Sequence, residues 1–274
     1  MLDIRYESSA GVSVALNSGV HVGRPNDLFS REWDYKIGYR ALATASRGAR
    51  KASFKAFFAD MAQADMFRRC ADADMQKGTP GTLRVEGWFQ RCFVVASEVH
   101  GIGSDFFAAK LTLVLLDGVW RKGHTVSFEP FTAQSGDGEF LDLPYDLPYD
   151  LGVPSRQRYF DGPEWGDAPL RFTIYGPAVN PSIRIGGNWY KAELTVPEGG
   201  YLVIDPIAFP RSVTLVNMDG STLDMFSRAS RGDGLGSGEY IFQPASPGTQ
   251  EVDWNGSFGF DVTWYEEEGE PAWS

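Results

Sequence analysis

Arg171-Phe172-Thr173-Ile174-Tyr175-Gly176-Pro177-Ala178-Val179-Asn180-Pro181-Ser182-Ile183-Arg184-Ile185 opens the stretch that decides the fold. Two short runs of alternating apolar and polar residues flank a break made of Gly, Pro and Asn. The same grammar continues through 189–196, 201–204, 212–216, 223–226, 240–242 and 251–265. Strand-sized runs about every ten residues, with turn chemistry between them, are the signature of a two-sheet β-sandwich. Asn255-Gly256 is the strongest local turn signal, because both residues tolerate positive φ, and it predicts a hairpin between 252–254 and 258–260. No catalytic grouping is legible in this half; it reads as a module that presents surfaces.

Working outward, residues 1–48 alternate as strands (Val12 to Leu16, Trp33 to Ile37) broken by Gly19, Gly23 and Pro25. Between Ala49 and Asp74 the spacing of Phe54, Phe57, Phe58, Met61 and Ala64 predicts one long helix, closed by Gly78-Thr79-Pro80-Gly81. Strands are expected again over 82–89, 91–97, 106–116 and 125–128, so that the helix covers a sheet. Residues 131–168 are proline-dense and include the tandem Leu143-Pro144-Tyr145-Asp146 and Leu147-Pro148-Tyr149-Asp150, which suits a semi-extended connection whose tyrosines pin it to a domain. The expected organisation is a first domain over 1–135, a linker over 136–168 and the sandwich over 169–274.

The chemistry-bearing residues give little. A net charge of -11 argues against a nucleic-acid binder, which needs clustered Lys and Arg. It suits solubility and a surface past which DNA slides without adhering. No apolar run reaches the ~18 residues of a membrane span, and Met1 to Arg5 has no signal-like character, so a soluble cytoplasmic product is expected. Cys70 and Cys92 fit neither a disulfide framework nor a metal pattern. His21, His100 and His124 lack ligand spacing, and no Gly-x-Ser-x-Gly elbow accompanies them. Gly232 to Gly238 is expected to be a flexible loop rather than a phosphate cradle, since a strand-like run (Glu239 to Phe242) follows instead of a helix. Arg231-Gly232-Asp233 is taken as coincidence, and Asn255-Gly256-Ser257 as a turn rather than a glycosylation acceptor. The acidic residues Asp137, Glu139, Asp142, Asp146 and Asp150 lack calcium-loop spacing. Trp189, Tyr190, Tyr201, Trp254 and Trp264 are expected to fill the space between sheets more than to stack on sugars. No catalytic, cofactor-binding or metal residue is assigned.

Several ordered motifs then matter together. They are Pro80-Gly81-Thr82-Leu83-Arg84-Val85-Glu86-Gly87-Trp88 after the helix, Asp117-Gly118-Val119-Trp120, and the Pro-Tyr-Asp linker. In the second half they are Gly176-Pro177 with Asn180 to Ile183, Gly199 to Asp205, Met218-Asp219-Gly220, Phe242-Gln243-Pro244 and Val262 to Tyr265. In order and spacing the chain resembles the distal tail proteins of long-tailed bacteriophages, hubs of the tail tip or baseplate. The resemblance implies a mainly β protein. Its N-terminal α+β domain would set one long helix on a sheet or split barrel, similar to tail-tube proteins, and its C-terminal domain would be a galectin-like sandwich. It further implies a homo-hexameric ring around the DNA channel, joining the tail tube protein to tail-tip and receptor-binding proteins. The expected location is the virion tail tip of a phage or prophage, assembled in the host bacterial cytoplasm, without membrane, enzymatic activity or cofactor. The galectin sugar-contacting pattern His-x-Asn-Pro-Arg with Trp-x-x-Glu is absent. With no inserted module between its two domains, the chain looks like the plain form. A carbohydrate-binding module for host-surface adhesion is the alternative.

Overall fold

Ala52, Phe54, Ala56 and Phe58 are all buried, while the residues between them are exposed or half-buried. This period of two makes the segment a strand. In the computed structural model, which describes residues 3–16, 27–103, 107–131 and 158–271, the chain divides into two units. Unit 1 comprises Met1–Lys122 and Glu267–Ser274; unit 2 is Gly123–Glu266.

Unit 1 contains β1 (Ile4–Glu7), β2 (Ser13–Ala15), β3 (Asp34–Ile37), β4 (Leu42–Ser46), β5 (Arg50–Phe58), the helix α1 (Met61–Lys77), β6 (Gly81–Val85), β7 (Trp88–Ile102) and β8 (Phe107–Leu115). β9 (Trp120–Phe128) starts in unit 1 and ends in unit 2. The strands pair antiparallel in the order β2-β1-β6-β7, with β8 on β7 and β5 on β8. The expected helix over 49–74 is corrected here. Its first part is β5, because alternation of Ala and Phe outweighs the helical coincidence of Phe54, Phe57 and Phe58. The helix begins where Asp60 accepts from the Gln63 amide (2.7 Å) while the Gln63 side chain accepts from Ala59 N (2.9 Å), a reciprocal cap. It ends at Gly78, whose φ of 65° suits a left-handed C-cap. The continuous strand expected over 82–89 is also divided. Glu86 and Gly87 have φ of 49° and 82°, the two positive values of a type I′ turn between β6 and β7.

Phe67 and Ala64 seat α1 on a core of Tyr6, Leu16, Phe58, Leu83, Leu111 and Leu113. Asp74, 2% exposed, accepts from the Tyr6 hydroxyl (2.5 Å) and the Ser9 amide (3.1 Å), tying α1 to the first strands. Burial first, and then that hydrogen bond, push the Tyr6 phenol above its usual pKa, so it remains a donor. Asp117 receives the Arg91 amide (3.0 Å) and Nε (2.9 Å), and Arg121 Nε reaches Glu267 at 2.7 Å. The Arg121 contact holds the returning C-terminal segment within unit 1.

Unit 2 continues with β10 (Arg158–Asp161), β11 (Leu170–Tyr175), β12 (Ala178–Val179), β13 (Ser182–Ile185), β14 (Asn188–Lys191), β15 (Thr195–Val196), β16 (Tyr201–Asp205), β17 (Ser212–Val216), β18 (Thr222–Asp224), β19 (Thr249–Trp254) and β20 (Phe260–Glu268), the last two residues of which fall in unit 1. One sheet runs β18-β17-β16-β11-β20-β9 and the other β10-β19-β13-β14, while β12 and β15 form a separate short pair. Phe172, Ile174, Ile183, Tyr190, Leu202, Val252, Trp254 and Phe260 are buried together, as the alternation predicted. β10 lies inside the stretch expected to be linker.

Two expectations change. Tyr240 to Phe242 is a turn whose Ile241 and Phe242 enter the core, not a strand. Asn255-Gly256 does turn the chain, with Gly256 φ at 76° and Ser257 N donating to Asn255 Oδ1 (3.1 Å), but it joins no hairpin. β19 belongs to one sheet and β20 to the other, so the segment arches between layers. Trp254, Phe258 and Phe260 are all buried, and Trp254 Nε1 donates to Phe258 O at 3.1 Å. A local turn signal specifies direction reversal, whereas the burial of three aromatics decides which sheet receives the returning chain. Among the described residues no helix is long and apolar enough to cross a membrane.

Candidate functional site

The first candidate is the hairpin β3–β4 of unit 1. Its register pairs Tyr35 with Ala45, Ile37 with Leu42, Lys36 with Thr44 and Asp34 with Ser46. Residues opposite one another share a face. One face is therefore Tyr35, Ile37, Ala45 and Leu42, and the other is Asp34, Lys36, Thr44 and Ser46. Among the described residues this hairpin pairs with no other strand. Its apolar face is uncovered: Tyr35 is 60% exposed, Leu42 63% and Ile37 78%. A two-stranded hairpin is marginal by itself in water, both strands are exposed throughout, and an apolar face without a covering layer is the pattern of a contact surface. The residues at its base and tip are cationic. Arg31, Lys36, Arg40 and Arg47 against Glu32 and Asp34 give +2 in a chain of -11. Arg47 stacks over Trp33 at 4.1 Å. Val99 and Ile102 at the far end of β7 are also exposed.

The second candidate is a cavity of about 490 Å³ in unit 2, where the end of β9, the end of β11 and the start of β20 meet. Tyr175, Glu129, Asp261, Ser127 and Ser257 supply its polar groups, and Phe128 and Phe258 lie beneath. Tyr175 donates to Asp261 Oδ2 at 2.6 Å. That hydrogen bond, then burial, hold the phenol pKa up at about 12. Tyr201 lies opposite Tyr175 across β11 and β16, so the two rings share the outer face of the sheet.

The residues weighed from sequence fall elsewhere. Tyr190 and Trp254 are core residues. Trp189 is half-buried, with Lys191 and Arg184 over its ring at 4.9 and 5.5 Å. Trp264 stacks on His124 at 4.1 Å, and His124 reaches Glu266 at 3.3 Å. His100 is exposed on β7, and His21 lies outside the described residues. Cys92 is buried, which pushes its thiol far above the usual range and away from thiolate chemistry; Cys70 is half-buried on α1. Among the described residues no group of three or more His, Cys, Asp or Glu is placed to hold a metal. The acidic run 137–150 and the tandem repeat lie outside the described residues.

The loop 232–238 is held by amides rather than open. Gly236 N donates to Gln243 Oε1 (2.8 Å), and Asn188 exchanges hydrogen bonds with Tyr240 O (3.1 Å) and N (3.2 Å). The pocket residue Tyr175 carried no signal in the sequence beyond its strand, because its partner Asp261 and the co-lining Glu129 are far away along the chain. Trp33 to Ile37 is readable as a strand, but neither its partner β4 nor the lack of a cover is.

Against solved structures, a chain of the phage P2 baseplate in its activated conformation with calcium aligns over 99% of this chain and 100% of its own, with a TM-score of 0.59 at 10% identity. The strontium form of that baseplate gives the same values. The Dit protein (gp 19.1) of phage SPP1, described as a paradigm of hub adsorption apparatus in phages infecting Gram-positive bacteria, aligns over 98% and 99% at a TM-score of 0.49 and 12% identity. No protein-family model and no curated protein matches the chain. The P2 baseplate chain thus shares this fold from end to end.

Proposed function

We propose that the chain is a structural hub protein of a phage or prophage tail tip, six copies of which form a ring that joins the tail tube to tail-tip and receptor-binding proteins and encloses the DNA channel. The fold shared over the full length with a phage P2 baseplate chain is the observation that carries this reading. In it, the N-terminal domain builds the ring and the C-terminal sandwich faces outward. The uncovered hairpin supports it, since a ring closed by one rotation needs two different complementary faces on each subunit. The apolar face of β3–β4, with its local charge of +2, suits a neighbouring copy whose total charge is -11. That acidic balance also suits a lumen along which DNA passes without adhering. The function requires no turnover, and no catalytic role is assigned to any residue.

Light scattering on the purified chain tests the proposal. The expected result is a discrete assembly of six 30.3 kDa subunits. Changing Tyr35 and Ile37 together to Asp should return it to single chains with an unchanged circular dichroism spectrum. A chain that stays at one subunit's mass over the whole accessible concentration range, or a ring untouched by those changes, would overturn the reading in whole or in its hairpin part respectively.

A further inference from the structure

We propose that the Tyr175 cavity of unit 2 is a binding site for an uncharged pyranose sugar. The cavity, at about 490 Å³, lies within the range of about 300–1,000 Å³ typical of small-molecule sites. Its chemistry selects among ligands. Two carboxylates, Glu129 and Asp261, line it and no Lys, Arg or His does, so phosphates, sulfates and acidic sugars are repelled. A carboxylate has about four acceptor positions, and the Tyr175 phenol occupies one on Asp261. The rest can accept from sugar hydroxyls. Ser127 and Ser257 add groups that both donate and accept.

The aromatic part is equally specific. Tyr175 lines the cavity and is 43% exposed; Tyr201, opposite it on the neighbouring strand and 38% exposed, lies outside the lining and extends the same outer face of the sheet. An exposed phenol offers a flat apolar face and a polar rim, which matches the C–H face and hydroxyl rim of a pyranose. The walls are rigid. Tyr175 N donates to Gly259 O at 3.0 Å and Gly176 N to Gly200 O at 2.9 Å. A side chain at Gly259 would press on Pro130 at 3.0 Å, so a glycine there keeps the cup open, while one at Gly176 would strike the Pro197 carbonyl, so the rim is packed tightly against the neighbouring backbone. The site lies wholly within unit 2 and stands independently of ring assembly.

The test is saturation-transfer NMR and calorimetry on the full-length protein with glucose, galactose, N-acetylglucosamine and glucosamine as probes. At least one of the three neutral sugars should bind saturably, with a Kd of about 1 mM. Tyr175→Ala and Asp261→Asn should each weaken binding by about ten-fold or more, the loss typical of a central anchor, with thermal melts confirming the fold. Tyr175→Phe keeps the ring and should lose less. Absence of saturable binding for all three neutral sugars overturns the proposal. So does binding that both variants leave intact, and so does exclusive binding of glucosamine that salt abolishes, which would make the cavity a cation site. Light scattering on the same samples reports the ring separately, so either idea can fail alone.

Discussion

The hairpins β3–β4 and β13–β14 are written in the same local code and meet opposite fates. Both alternate apolar and polar residues, both place a Tyr on the apolar face, and both close through residues at positive φ: Arg40 in the first, Gly186 and Gly187 in the second. In β13–β14 the apolar face, Ile183, Ile185 and Tyr190, disappears between two sheets. In β3–β4 it stands in solvent. Amphipathic alternation therefore specifies a face to be covered, and only the rest of the molecule decides whether the cover comes from the same chain.

Matched substitutions probe this contrast. Tyr190→Ala removes a ring packed at a tilt 4.7 Å from Phe172 and a hydroxyl donating to Gln243 O at 2.7 Å, and should cost roughly 3–5 kcal/mol in urea unfolding. Tyr35→Ala, in single chains, should change stability by no more than about 0.5 kcal/mol while weakening assembly. Equal losses in the two would break the comparison, because β3–β4 would then be packed within its own chain. Next in size are the turns. Gly187→Ala, at φ 89°, should cost about 1–2 kcal/mol, whereas Arg40→Gly, at φ 60°, should be neutral or slightly stabilising.

A smaller effect separates the two cores. Gln90 is 1% exposed in unit 1, and both its amide atoms lack a protein partner, as does Trp120 Nε1. Gln90→Met should raise the unfolding free energy by about 1 kcal/mol, since an apolar group of similar length removes a desolvation penalty. A loss instead would show that the amide is satisfied in solution. Smallest is the pH signature of the cavity. The Tyr175 pKa is raised to about 12 in the folded chain, so its contribution is fully present below the unfolded value near 10 and fades as pH climbs through about 12. Absorbance titration at the tyrosinate band should show a group ionising near pH 12 that Tyr175→Phe removes, distinct from Tyr6 and Tyr190, whose phenols burial pushes higher still.

Most strands of the sandwich were legible, because Ser182–Ile185 and Ser212–Val216 alternate cleanly between turn residues. Failures came where local signals carry two meanings. Asn255-Gly256 signals reversal in either a hairpin or an arch, and the partners of Trp254 and Phe260 on separate sheets are invisible along the chain. Phe54, Phe57 and Phe58 satisfy a helical stripe as well as a strand with a large side chain on each face. Tyr240 to Phe242 looks like a strand because it is apolar, but its backbone is organised by Asn188, far upstream. The candidate sites were the least legible. Tyr175 becomes interesting only beside Asp261, and Ile37 only through what fails to cover it.

The return of residues 267–270 to unit 1, fastened by Glu267 on Arg121, makes the sandwich a cassette spliced into its host at a single doorway. The chain leaves unit 1 after residue 122 and re-enters it at 267, and both of those ends rest on one ion pair, so loss of the Arg121 guanidinium would loosen exit and return together.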